Sequence, residues 1–312
     1  MISLRQHAVS IAAIFFALAL GLLLGAQGLS GGVLASLRSD HGALQQRNNA
    51  LAAENTRLTE EVAAADGFVA RSAPRLLGGT LANRSVLLFT TPDADPGDVD
   101  AVAKALGAAG ATVTGKVALT DSFVDSAQGD RLRTAVTNMI PAGAQLQTGA
   151  VDQGSLAGDL LGLAFLTDPG SNQQRATPQE RGLILDTLRN GGFVATGEVQ
   201  PAQLAVVLTG AGAKAEQNNQ GSIVARFAGG LRGRGAGVVL AGRGGAADGA
   251  GPIAVVRADG HLASTVTTVD NVDREIGRLT TVLGLGEQLG GKTGGYGTGA
   301  KATALSVAGM PG

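Results

Sequence analysis

Hydrophobic positions along this chain fall into three successive patterns: an unbroken apolar run, a seven-residue leucine repeat, and short apolar blocks alternating with helical periodicity. The run from Ala8 to Gly25 contains IAAIFFALALGLLLG, carries no charge and is interrupted clearly only by Ser10. About 20 apolar residues take an α-helix across a bilayer, so residues 8–27 are predicted to span one. Arg5 and the terminal amine flank the run on one side, and the next basic residue on the other is Arg38. Positive charge is retained in the cytoplasm, which leaves residues 1–7 inside and the bulk of the chain beyond the membrane. A cleaved signal peptide is the alternative. Ala17-Leu18-Ala19 fits the small-x-small cleavage pattern, but cleavage there would leave an apolar new terminus.

Leu37, Leu44, Leu51 and Leu58 then recur every seven residues. With these at heptad position d, position a is filled by Leu34, His41, Asn48, Asn55 and Val62. Asparagine at a costs stability but fixes register and favours two strands, so residues 30–66 are predicted to form a parallel coiled coil, a homodimer or higher oligomer. The other faces carry Gln45, Gln46, Arg47, Glu54, Arg57, Glu60 and Glu61, as a solvated helix requires. A shared membrane anchor raises the effective concentration of partners. The competing expectation is one amphipathic helix folded back on its own domain. His41 would face its twin across the seam, where paired imidazoles can hold a borderline metal; its simpler role is a polar register residue. Gly67 and Pro74 are expected to end the rod and open a linker over residues 67–83.

Residues 84–290 predict a mostly parallel α/β sandwich built from βαβ units. Ser85 to Thr90 is apolar on successive positions, as a buried strand is. Asp95 is placed to cap a helix with Pro96 at its first position, carrying Val99, Val102, Ala103 and Leu106 on one face and ending at Gly110. Residues 111–119 form the returning strand. A second unit repeats the plan: a strand at 204–209, a helix with Ile223, Val224, Phe227 and Leu231, and a strand at 238–240. Residues 253–256 are expected to add another strand. Between the units, Ser155 is expected to cap a helix through Phe165, and Thr177-Pro178 to open one carrying Leu183, Ile184 and Leu188. Gly191-Gly192 stops that helix before a strand at 193–196. Continuous apolar strands separated by helices argue for a sheet covered on both faces, and the alternation of a lipid-facing barrel is missing. A last helix is expected around 274–289, then a flexible glycine-rich tail over 291–312.

Composition narrows the chemistry. The net charge is −1, Trp is absent and Tyr occurs once, so nucleic acid is not an indicated partner. The chain has no Cys, which removes thiolate metal sites and thiol catalysis. Its three His are His7, His41 and His261, and only the last lies in the α/β region, without a nucleophile elbow nearby. No enzymatic activity and no cofactor are therefore expected. A formal P-loop string runs from Gly286 to Thr293, but the residues after Thr293 are too rich in glycine to hold a helix. Asp93, Asp95, Asp98 and Asp100 lack the spacing of a calcium loop and are better explained by helix capping. Arg226, Arg232, Arg234 and Arg243 form a basic strip able to touch lipid head groups or polyanions, although a solvated helix face explains them more simply.

Six segments carry a family resemblance: MISLRQHAVSIAAIFFALALGLLLG at the start, VLLFTTPDAD (86–95), VDQGSLAGDLLG (151–162), NQGSIVARFA (219–228), VVLAGR (238–243) and GGYGTG (294–299). In order and spacing the chain resembles the mycobacterial copper transport protein B family. The resemblance implies an actinobacterial cell-envelope protein tied to copper efflux and copper resistance, with copper ions as the transported species and a pore in the outer membrane. The residues fit this in part. Copper(I) favours Cys and Met and copper(II) favours His, whereas Met139 and Met310 stand apart and no ligand motif transfers. A single helical anchor is more typical of an inner membrane. Two functional classes result: a copper-export component acting through an oligomer or with other envelope transport proteins, and a non-enzymatic anchored scaffold of the envelope.

Overall fold

The computed structural model describes residues 4–308, and the side chains of all of these except residues 4–5 and 26–38. The chain divides into two compact units, Met1–Ala65 and Asp66–Gly312. A single helix, α1 (Leu4–Leu77), accounts for the described part of the first and enters the second. Within it, Gln6–Gly25 is apolar and long enough to cross a membrane, with mean hydropathy 2.5 and no buried residue.

Gly67 and Pro74 do not end this helix, contrary to the sequence expectation. Proline removes one ladder hydrogen bond. Here Val69 and Ala73 pack on the core of the second unit and Leu77 is fully buried, so tertiary burial outweighs the local penalty. The expected linker is therefore largely the last turns of α1.

The second unit continues through β1 (Ser85–Thr90), α2 (Pro96–Ala108), β2 (Thr112–Leu119), α3 (Asp121–Val124), α4 (Gly129–Thr137), α5 (Gln153–Phe165), α6 (Pro178–Asn190), β3 (Val194–Thr196) and β4 (Leu204–Leu208). It is completed by α7 (Gln220–Arg232), β5 (Gly237–Ala241), α8 (Pro252–Ala258), α9 (Gly260–Ala263), β6 (Thr267–Val269), α10 (Glu275–Leu289) and β7 (Gly295–Tyr296). Among the described residues the strands form one seven-stranded sheet in the order β3-β2-β1-β4-β5-β6-β7. Every pairing is parallel except β2 with the edge strand β3.

Alternate strand residues feed two cores. Leu87, Phe89, Val207 and Leu240 face α3 to α8, where Phe227 meets Phe89 and Phe123 edge-on at centroid distances of 5.2 and 5.3 Å. Val86, Leu88, Val206 and Val239 face α2, α10 and the end of α1. The two-face coverage expected from unbroken apolar strands is what the structure has.

Three local expectations change. Residues 253–256 lie in α8 rather than a strand, because Pro252 opens a helical turn and Ile253 and Val256 bury one face of it. Asp152, not Ser155, caps α5; Ser155 is the third helical residue and returns the bond, completing a capping box. The segment expected to be a flexible tail adds β7 to the sheet and buries Tyr296 and Val307. Its anchor is Asp270, which accepts backbone N–H bonds from Thr298 (2.8 Å) and Gly299 (3.1 Å). Gly297 (φ +125°) and Gly299 are required there, since a Cβ on either would run into that carboxylate.

Candidate functional site at the carboxyl end of the sheet

From β1 the chain winds to β2 through α2 on one face, and from β4 it winds to β5 through α7 on the other. The crevice between the ends of β1 and β4 is therefore the topological switch point, the usual ligand position in open α/β sheets. It encloses about 190 Å³. Val124, Val224, Pro92 and Pro252 supply apolar wall, and Thr91, Asp93, Asp121, Thr209 and Lys214 supply polar rim.

Asp93 holds this crevice together. Its Oδ1 accepts from Thr91 Oγ1 at 2.6 Å and Thr209 Oγ1 at 3.3 Å, and its Oδ2 accepts from Gly212 N at 3.1 Å. One carboxylate thus ties the loop after β1 to the loop after β4. A negative charge at this position opposes a phosphate, which marks the site off from a dinucleotide-binding crevice.

Beside the crevice, Asp95 caps α2 through the amides of Gly97 and Asp98, as its position predicts. The buried Asp98 takes Arg243 Nε at 2.7 Å and Arg278 Nη2 at 3.1 Å, and Asp95 takes Arg243 Nη2 at 3.0 Å. The hydrogen bond to Asp98 holds the Arg243 guanidinium above its ordinary range despite some burial.

The four arginines expected on a solvated strip are instead dispersed and engaged. Arg226 pairs with Asp152 at 3.1 Å, and Arg232 donates to the carbonyls of Thr265 and Gly235. Arg234 grips the fully buried Asp159 with Nε at 2.5 Å and Nη2 at 2.9 Å. Burial lowers the Arg232 guanidinium. At Asp152 burial would raise the carboxyl, but bonds from the Ser155 amide and hydroxyl and from Arg226 outweigh it, and the net direction is down.

The P-loop string sits in the wrong context, with residues 286–289 as the last turn of α10 and Gly290 as its C-cap. A helix carboxyl end presents carbonyl oxygens and repels phosphate. His261 is exposed on α9, and Ser264 Oγ donates to its backbone carbonyl rather than to the ring. Met139 is buried in the first core; Met310 lies outside the described residues. Among the described residues no three His, Asp or Glu side chains converge as a metal-binding group.

Of the heptad positions, Leu34 and Leu37 fall outside the described side chains. His41, Leu44, Asn48, Leu51, Asn55, Leu58 and Val62 are exposed on α1. Leu44 and Leu51 are 58% and 67% accessible, so this face has no apolar cover within its unit. Arg57 pairs with Glu54 and Glu61 on the same helix.

Four of the segments that carry the resemblance meet in pairs. VDQGSLAGDLLG lies on α5 and NQGSIVARFA on α7, and the two helices touch backbone to backbone. A Cβ on Gly154 or Gly158 would strike the carbonyl of Ile223 or Phe227. VLLFTTPDAD and VVLAGR are joined by the Asp95–Asp98–Arg243 network, and GGYGTG wraps Asp270. The family described as "Copper transport outer membrane protein, MctB" matches residues 1–307. The chain belongs to the MctB family. Proteins named copper transporter MctB from Mycobacterium bovis and Mycobacterium tuberculosis are each 42% identical to it over 312 residues, spanning 98% of this chain and 99% of theirs. The Mycobacterium leprae copper transporter MctB is 44% identical over 315 residues with the same coverage.

The crevice residues Thr91, Asp93, Thr209 and Lys214 were not foreseen as a group. Their only sequence signal is position, directly after the first strand of each βαβ unit, and pairing those two strands requires the sheet order.

Proposed function

We propose that this chain is a copper-transport component of the bacterial cell envelope, anchored by its N-terminal helix and acting as a parallel dimer. The observation that carries the reading is likeness to proteins named copper transporters along 98% of the chain. The exposed heptad Leu44, Leu51 and Leu58, with Asn48 and Asn55 between them, supports pairing of α1 with a second copy. Residues beyond the span face outside the cytoplasm, as Arg5 on the inner flank favours.

The α/β unit is not the conduit in this reading. Its sheet is packed on both faces by two continuous cores, which leaves the spans of assembled copies or a larger envelope machine as the route for the ion. The Asp93 crevice gives the unit a place to bind a small ligand at its switch point, and this favours a second role as an anchored interaction module.

Deleting the gene and measuring cell-associated copper tests the reading. Accumulated copper and increased copper sensitivity, both reversed by the intact chain, support it. Unchanged copper content, together with recovery of a defined envelope partner by cross-linking, replaces transport with scaffolding. Fractionating the native envelope locates the anchor, for which the family description names the outer membrane.

A further inference from the structure

We infer that pairing of two copies through α1 assembles a copper(II) site from His41 and Asp40 of both chains, a refinement that rests on the dimer reading above. Both residues are exposed on the described part of α1. His41 occupies heptad position a and Asp40 the preceding g. In a parallel two-stranded coil each a residue enters a hole of four residues on the facing helix. By heptad position, the hole that receives His41 includes Asp40, His41 and Leu44 of the second copy. Two-fold symmetry then brings two imidazoles face to face with a carboxylate beside each.

The donor set is two nitrogens and two carboxylate oxygens. Mixed N,O donors in a tetragonal arrangement suit copper(II), and among first-row dications copper(II) binds such donors most tightly. The two carboxylates offset the charge of the ion. A single copy cannot make this site, in keeping with the lack of any convergent His/Asp/Glu group among the described residues. The other histidines are poorly placed. His7 lies within the apolar span, and the carboxylate next to His261, Asp259, is engaged in capping α9 through the amides of His261 and Leu262.

The surroundings favour metal over plain packing. A polar residue is costly at an a position, and Asn48 and Asn55 already suffice to set register. A third polar layer with an acidic neighbour on its N-terminal side is accounted for by a ligand that both groups hold.

The test uses the full chain in detergent micelles, titrated with copper(II) alone and read by electron paramagnetic resonance and by sedimentation. Expected are one copper per two chains and hyperfine splitting from two equivalent nitrogens. His41→Asn, which keeps a polar a position, should retain the dimer and weaken copper binding at least tenfold. Asp40→Asn should weaken it by about tenfold, and His261→Asn should leave it unchanged. A dimer that binds no copper, or His41→Asn with undiminished binding, overturns the site while leaving pairing intact. A monomeric wild-type chain overturns both site and dimer, and the cell-associated copper measurement judges the transport reading separately.

Discussion

Arg257 and Asp270 form a salt bridge of 2.6 Å with both side chains almost wholly buried, 4% and 0% exposed. Arg257 also donates to Thr268 Oγ1 (3.0 Å) and to the carbonyls of Tyr296 (2.8 Å) and Ala300 (3.0 Å). The pair therefore fastens the glycine-rich segment after α10 to the end of β6. Breaking a buried pair from one side leaves an uncompensated charge and costs about 3–5 kcal/mol. Arg257→Met should lower urea stability by that order and open the chain to proteolysis at the exposed Lys301. Wild-type resistance in the variant would show that β7 pairing alone holds the segment.

The α5–α7 contact predicts opposite outcomes for one substitution at two glycines. Gly158→Ala drives a methyl into the carbonyl of Phe227, a backbone atom that cannot turn aside. Overpacking of this kind costs about 1–3 kcal/mol. Gly182→Ala on α6 meets nothing within 4 Å and should stabilise its helix by up to about 1 kcal/mol. Thermal unfolding of the two variants checks the sign of each.

Tyr296 gives the protein an alkaline limit. Burial, and then its hydrogen bond to Glu287 at 2.5 Å, push the phenol well above its ordinary value near 10. A folded-state pKa raised above the unfolded one contributes stability that is complete below pH 10 and lost as pH rises beyond it. Unfolding free energy should fall between pH 10 and 11 in the wild type. Tyr296→Phe should flatten that limb, and identical limbs would remove Tyr296 as the cause.

Pairing through α1 has its own signature. Asn48→Leu combined with Asn55→Leu should tighten association while loosening the choice of oligomer. Sedimentation of the detergent-solubilised chain should shift from a single dimer to a mixture. A monomer in both forms ends the coiled-coil reading.

Much of this architecture is legible one residue at a time, because local physics dictates it. The apolar run fixes a span-length helix. The β-branched and apolar blocks at 85–90 and 204–208 lie where strands form, and Asp95-Pro96 and Thr177-Pro178 open helices by capping and by proline's fixed φ. Coverage of the sheet on both faces comes from strands without polar alternation. Distant partners decide the rest. The helix runs through Pro74 because Leu77 gains burial, and residues 253–256 are helical because Pro252 sets a turn against the first core. GGYGTG folds because the Asp270 carboxylate, 28 and 29 residues before Thr298 and Gly299, accepts their amides. Sequence gives each segment its local preference. Only the assembled sheet brings Asp93 to Thr209, Asp98 to Arg243 and Gly158 to Phe227, since those pairings are set by strand order and helix approach rather than by spacing along the chain.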